Sequence, residues 1–358
     1  MSGIEPTSPV TLHDVAREAG VSLATASRSL NGSTRNVKES NRQLVVEAAA
    51  RLGYTPNASA QAVARGTTTT VSLLVGDITD PYFSTIASGV VRAATRHGLV
   101  VTMTETERDA AREVELVRAM RGQRPRAIIL AASRLTGDPH AEALSRELSA
   151  YEAAGGHVVF ISSAAQDFRC LPLPHREGAF ALGERLHALG YRHPAVLAGP
   201  RLTVTDSDGE GAVATVGLRT SDERLAGFAD AFAQAGAPIP AERIVPTAFT
   251  RDGGYDGMRR MIEEGLGEID VVFAVNDVMA VGAMSALRDC GLTPGEDIAV
   301  AGFDDIPTLR DVTPRLTSVA LPLADVGAHA LELALADGDA HPAAVSCSVE
   351  LRESTPAR

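Results

Sequence analysis

Lysine is almost missing from this sequence: Lys38 is the only one in 358 residues. Its scarcity removes a P-loop lysine and a Schiff-base lysine from everything downstream, and two large enzyme classes go with them. Cysteine is nearly as scarce. Cys170, Cys290 and Cys347 are odd in number, far apart and without a C-x-x-C pair, so they suggest three buried reduced thiols rather than a disulfide framework or a thiolate zinc site. No run of eighteen apolar residues is present to span a bilayer, and the opening "MSGIEPTSPV" lacks the basic-then-apolar layout of a signal peptide. The expectation is a cytoplasmic protein with no membrane partner. The histidines form no H-E-x-x-H and no G-x-S-x-G occurs, so the sequence nominates no catalytic residue, metal site or cofactor, and the chain reads as not an enzyme.

What is present divides in two. The formal charge of -12 looks wrong for a nucleic-acid binder, but residues 1–66 carry seven Arg or Lys against five Asp or Glu, net +2, which leaves -14 for the remainder. A small basic head on a large acidic body fits a protein that touches DNA with one end.

The head reads as three helices. Thr11 and Asp14 have capping-box spacing, and Leu12, Val15, Ala16 and Ala19 recur at helical intervals, so a first helix is expected over roughly Leu12 to Ala19. Gly20 can take the left-handed stop and Ser22 can cap the next helix, which leaves a turn of about three residues. This is helix-turn-helix spacing. A third helix, about Glu39 to Leu52, would place Leu44, Ala48 and Leu52 on one stripe and end at Gly53.

Within "GVSLATASRSLNG", Val21, Ala26 and Leu30 are expected to point into a miniature core, while Thr25, Ser27, Ser29 and Arg28 have no apolar burden. Leu23, Ala24, Thr25, Ser27 and Arg28 are then left outside, on a helix whose short side chains permit close approach to a major groove. Thr and Ser hydroxyls suit phosphate oxygens, Arg28 suits a guanine edge, and Leu23 or Ala24 can touch a thymine methyl.

At these residues the chain resembles the LacI/GalR family of transcription regulators. The matching stretches are "VTLHDVAREAGVSLATASRSLNG", "LGYTPNASAQAVARG", "ERLAGF", "NDVMAVGAMSALRDCGL", "IAVAGFDDI", "LTSV" and "ELREST", which stand in the family's order along nearly the whole chain. The resemblance implies a helix-turn-helix domain over 1–56, a hinge helix and linker over 57–69, and a two-lobed sensor over 70–358 similar to periplasmic sugar-binding proteins. It implies lobes that exchange segments, about 70–162 with 323–338 in one and 163–319 with 345–352 in the other. The DNA-binding candidates become Thr11, Ser22, Leu23, Ala24, Thr25, Ser27, Arg28, Asn31, Tyr54, Asn57, Ala60 and Val63. Val63 stands where relatives often carry leucine, and the short run from Ala58 to Arg65 would fold only against a partner in the minor groove.

The body's own pattern agrees with an α/β sensor. Short apolar runs, "VSLLVG", "RAIIL", "HVVFI", "AVLAG", "VVFAV" and "IAVAGF", alternate with helix-length segments, the layout of two doubly wound parallel sheets. Ligands in such folds sit beyond the carboxyl ends of strands. By resemblance, Asp80, Tyr82, Phe83, Ser162, Arg224, Asn276 and Asp304 line an effector cleft; for Asp80 and Asn276, helix capping is the alternative use.

The sequence also departs from the family. Ser162 stands where an acid is frequent, and Pro174 and His175 replace a frequent Asp-Asn pair. The segment over 202–222 is longer than usual and reads as a flexible loop. Gly209, Gly211 and Ala214 imitate a dinucleotide fingerprint without a preceding strand, and Asp206, Asp208 and Gly211 imitate a calcium loop that has Gly217 where the bidentate Glu belongs.

The expectation is a nucleoid-associated repressor that binds a two-fold operator as a homodimer and is controlled by a carbohydrate effector. No heptad helix follows "ELREST", so a tetramer is not expected. Regulators answering to a nucleoside or nucleobase or to a protein partner stay open at this point, as does a non-regulatory α/β binding protein or enzyme.

Overall fold

A computed structural model describes residues 10–30, 37–55, 68–131, 134–135, 137–162, 167–204, 214–338 and 341–358. The chain separates into two compact units, residues 1–68 and 69–358.

In the first unit, helices α1 (Leu12–Glu18), α2 (Leu23–Leu30) and α3 (Glu39–Leu52) surround a core of Val15, Ala16, Ala19, Ala26, Val45, Ala48 and Ala49. Most of these are alanines, so the helix backbones approach closely. The capping box forms as the spacing predicts: the Asp14 amide donates to Thr11 Oγ1, and the Thr11 amide donates to the Asp14 carboxylate at 3.0 Å. Gly20 takes φ 65° and turns the chain into α2, whose Thr25 amide donates to Ser22 Oγ at 3.2 Å.

Two expectations fail here. Leu44 is 48% exposed, because α3 turns Val45, Ala48, Ala49 and Leu52 inward, one residue round from the stripe read in the sequence. Ser29 is buried, and its hydroxyl satisfies itself on the Thr25 carbonyl at 2.8 Å, one turn back.

In the second unit all six apolar runs become strands. The first sheet has the order β2 (Val100–Glu105), β1 (Thr70–Val75), β3 (Ala127–Ala131), β4 (His157–Phe160), β5 (Arg169–Cys170), every pair parallel. The second runs β13 (Ser348–Glu350), β12 (Thr317–Ala320), β11 (Ala299–Asp304), β10 (Val271–Ala274), β6 (Pro194–Ala198), β9 (Ile244–Pro246), and only β13 is antiparallel. Helices α4 (Pro81–Arg96), α5 (Ala110–Gln123), α6 (Ala141–Ala153), α7 (His175–Ala188), α8 (Arg219–Gln234), α9 (Arg251–Glu264), α10 (Asp277–Asp289) and α11 (Leu323–Leu335) make the crossovers and cover the faces. Buried on both faces, the central strands read as continuous apolar runs.

Helix α11 leaves the second sheet and returns to the first lobe, packing on α4. Glycines permit it: a Cβ on Gly89 would overlap the Ala324 carbonyl, and one on Gly327 would overlap the Ile86 carbonyl. Arg169 then answers the end of α11, donating through Nη1 to the Leu333 and Ala336 carbonyls at 2.7 and 2.9 Å. A guanidinium at a helix C-terminus satisfies orphan carbonyls and opposes their partial negative charge. Since β5 pairs with β4, the first sheet continues to Cys170, and the lobe division expected at 162 lies inside it.

The 202–222 segment is a second correction. Its ends form an antiparallel ribbon of β7 (Arg201–Val204) and β8 (Ala214–Gly217), so it is not loop throughout. A strand does precede Gly209, and Ala214 opens another strand where the fingerprint would have a helix. Asp206, Asp208, Gly209 and Gly211 lie outside the described residues. Contrary to expectation, the three thiols are not buried: Cys290 is exposed, and Cys170 and Cys347 are half-buried.

Candidate functional site: a helix face and an interlobe cleft

On α2, Leu23 (40% exposed), Ala24 and Arg28 face solvent, and Thr25 and Ser27 are half-buried at the edge of that face. Arg28 Nε donates to the Ala24 carbonyl one turn back at 3.2 Å, and Arg28 forms no ion pair among the described residues. The other head arginines described are committed: Arg17 to Asp14, Arg42 to Glu39 and Arg51 to Glu18. Among the described residues of the head, the basic side chains outside any ion pair are therefore those of Arg28 and Lys38. Thr11 is exposed and Ser22 shares a 2.8 Å hydroxyl contact with Thr25, whereas Tyr54 packs against the head core. Asn31, Asn57, Ala60 and Val63 lie outside the described residues.

In the second unit, a cleft of about 580 Å³, counting its open mouth, gathers Asp80, Tyr82, Phe83, Ser162, Arg224 and Asp304. All but Arg224, which lies in the second turn of α8, sit at or just past the carboxyl end of a strand or at the start of a helix. Asp80 caps α4, accepting the Tyr82 amide at 3.0 Å, and Pro81 follows in the first turn. Asp304 ends β11 with φ 116°, a conformation held against its own strain by the groups around it.

Arg224 is the anchor. It is 1% exposed, reaches from α8 across to β11, and donates to both oxygens of Asp304 at 2.6 and 3.2 Å. Its Nη1 also donates to the Val275 carbonyl at 2.7 Å, its Nε to His175 Nδ1 at 3.3 Å, and its guanidinium lies 3.9 Å from the Phe303 ring centroid. Burial pushes the Asp304 carboxyl up to about 7 against the pull of Arg224. Behind it, burial and the charge of Asp304 raise Asp277, which fixes the corner by accepting Ser318 Oγ at 2.7 Å and the Ile306 amide at 2.9 Å. Burial likewise raises Asp80, opposed by the Tyr82 amide and Arg108.

Asn276 does not line the cleft. It is buried, and its Oδ1 accepts the Met279 amide at 2.9 Å to cap α10, the alternative use noted for it. Other residues join the wall that were not nominated: Arg108, His175, Arg219, Thr220, Glu223 and Phe249. His175, noted in the sequence only as a departure, opens α7 at the cleft, and burial, reinforced by the Arg224 charge, holds its imidazole well below 6.5. With Nδ1 accepting from Arg224, the neutral ring carries its proton on Nε2. Arg108 is placed by a backbone at φ 58°, which nothing in a sequence pattern announces.

Known proteins match both units. The description "Bacterial regulatory proteins, lacI family" matches residues 11–57, and "Periplasmic binding protein-like domain" matches 184–355. The chain is 31% identical to the HTH-type transcriptional regulator GalR of Escherichia coli (strain K12), over 93% of this chain and 90% of that one. Among solved structures it is similar to the lac repressor dimer bound to operator and the anti-inducer ONPF, with TM-score 0.79, 25% identity, and coverage of 98% of this chain and 100% of that one. It is also similar to the transcriptional regulator CelR in complex with cellobiose, with TM-score 0.66, 27% identity, and coverage of 96% and 99%. No helix among the described residues is long and apolar enough to cross a membrane. A helix-turn-helix head with an exposed, uncommitted arginine, joined to two doubly wound lobes around a polar cleft, accounts for both matches: the chain belongs to the LacI/GalR family of bacterial transcriptional regulators.

Proposed function

We propose that the protein is an effector-controlled repressor that acts without catalysis. Residues 1–56 read a half-site of a two-fold operator, residues 57–69 form a hinge, and residues 70–358 bind the effector and pair two copies. The observation that carries the DNA assignment is Arg28, exposed on the outward face of α2 and in no ion pair among the described residues. Its fork is available to a guanine edge, with Leu23, Ala24, Thr25 and Ser27 beside it. Thr11, Ser22, Asn31 and Tyr54 complete the contact set in the head, and Asn57, Ala60 and Val63 in the hinge. Hinge folding coupled to operator binding makes lobe spacing the switch.

The effector is a sugar or sugar derivative held by Asp80, Tyr82, Phe83, Ser162 and the Arg224–Asp304 pair. The solved relatives support this: one holds operator and an anti-inducer as a dimer, and another holds cellobiose. A repressor on chromosomal operators belongs in the cytoplasm with the nucleoid. The test is selection of bound sequences from random DNA by the purified protein, followed by a ligand screen for release. Enrichment of a two-fold motif and its release by a small molecule are expected, and enrichment of no motif would overturn the reading.

A further inference from the structure

The cleft holds two guanidinium N–H donors that no described residue answers. Arg108 Nη2 and Arg219 Nε are both shielded from solvent and have no hydrogen-bond acceptor among the described residues, and both residues line the cleft. Arg108 Nη1 is taken by Asp77 at 3.0 Å, but Nη2 stands 3.6 Å from Asp80 Oδ2, close enough to feel its charge and too far to donate to it. Arg224 is different, since its pair with Asp304, the Val275 carbonyl and His175 use its donors. A buried guanidinium N–H without an acceptor is costly, and an oxygen-bearing ligand removes that cost.

Two helix starts point the same way. Helices α7 and α8 both begin at the cleft and neither has a side-chain cap, because Pro174 and Leu218 occupy the cap positions. Helices α4, α9 and α10 are capped by Asp80, Thr250 and Asn276. The uncapped ends leave partial positive charge at the wall where His175, Arg219 and Thr220 stand. His175, neutral and protonated on Nε2, adds a further donor there. The acidic groups of the wall are engaged already: Asp304 by Arg224, Asp80 by the Tyr82 amide, and Glu223 also has a partner.

We infer that the ligand of this cleft is an anionic sugar derivative, a sugar acid or a sugar phosphate, whose charged oxygens lie between Arg108 and Arg219. The inference rests on the proposed sugar effector and narrows it. The carbon skeleton lies against Phe83, Ile161 and Phe249, the apolar part of the wall. Planar arginine forks suit carboxylate and phosphate oxygens, and past Lys38 the chain has no lysine to offer as an alternative.

The experiment is isothermal titration calorimetry of the full chain, at one ionic strength, with D-glucose, D-glucuronate and D-glucose 6-phosphate, and with the matching galactose set. At least one anion is expected to bind about tenfold or more tighter than its neutral parent, the size of one charge-assisted hydrogen bond. The better anion separates carboxylate from phosphate. Arg219→Gln is expected to lower that anion's affinity by the same factor, and Arg108→Gln gives the same readout should the first variant fail to fold. A neutral sugar that binds as tightly as its anions, or a ratio unchanged in the variants, overturns the inference and leaves the sugar-effector reading standing. Binding of no member of either set overturns both.

Discussion

Arg224 and Asp304, eighty residues apart in sequence, form a two-point ion pair at 2.6 and 3.2 Å that joins α8 to the end of β11 beneath the cleft. Both are almost wholly buried. Removing one partner leaves the other charge without compensation, so Arg224→Ala is expected to cost about 3–5 kcal/mol of stability. Asp304→Ala should cost a similar amount. The two are coupled, so the double variant should cost less than the singles added together. Urea unfolding of the four proteins checks this, and simple additivity would sink it.

His175 supplies a pH dependence with a definite sign. Burial, with the Arg224 charge, holds its folded pKa well below 6.5, so below pH 6.5 the unfolded chain takes up a proton that the native protein refuses. The stabilising contribution is present above 6.5 and is lost as pH falls towards the folded value. Asn can offer Arg224 an acceptor in place of Nδ1 without titrating. The stability of the wild type minus that of His175→Asn should therefore shrink on going from pH 7.5 to 5, and parallel curves would count against the assignment.

Gly89 carries the contact of α4 with α11. A methyl group there overlaps the Ala324 carbonyl, which is backbone and cannot swing away. Gly89→Ala is expected to cost about 1–3 kcal/mol through overpacking. Gly122→Ala, in open space on α5, serves as the control and should be neutral or mildly stabilising. Thermal melts that fail to separate the two would show that α11 can shift at no cost.

Arg28→Ala should weaken binding to the best operator by about 1–3 kcal/mol and relax preference at one base pair. A competition assay across single-base operator variants reads this directly. Uniform weakening with unchanged preference would make Arg28 a phosphate contact instead.

Local signals in the sequence were enough for a large part of this protein. Thr11, Asp14, Gly20 and Ser22 act over three or four residues, so the helix-turn-helix could be read from their spacing. Strands buried on both faces are mostly apolar, and all six apolar runs are strands. The strands outside those runs leave no apolar pattern: β2 is half-exposed and mixed in character, β5 has two residues, and β12, although interior and buried, begins with Thr317 and Ser318. Leu44 went wrong for a related reason, since one residue of slip on a short amphipathic helix rotates the inward face by about 100°.

The cleft divides in the same way. Asp80, Tyr82, Phe83, Ser162 and Asp304 lie where strand-end motifs place them, and a strand end is a local property, whereas Arg224 comes from the second turn of α8. Asn276 has the same local signature, but its side chain turns into the α10 cap, a choice made by packing. Arg108, His175, Arg219 and Phe249 reach the wall from four separate segments, and only the closing of two lobes around one cleft brings them together. Sequence by itself determined the periodicities, the caps and the division of charge between head and body, because those depend on neighbours a few residues away. Tertiary structure alone decided which guanidinium is consumed by a buried carboxylate and which keeps a donor without an acceptor among the described residues, because burial and partner choice depend on residues many tens of positions apart.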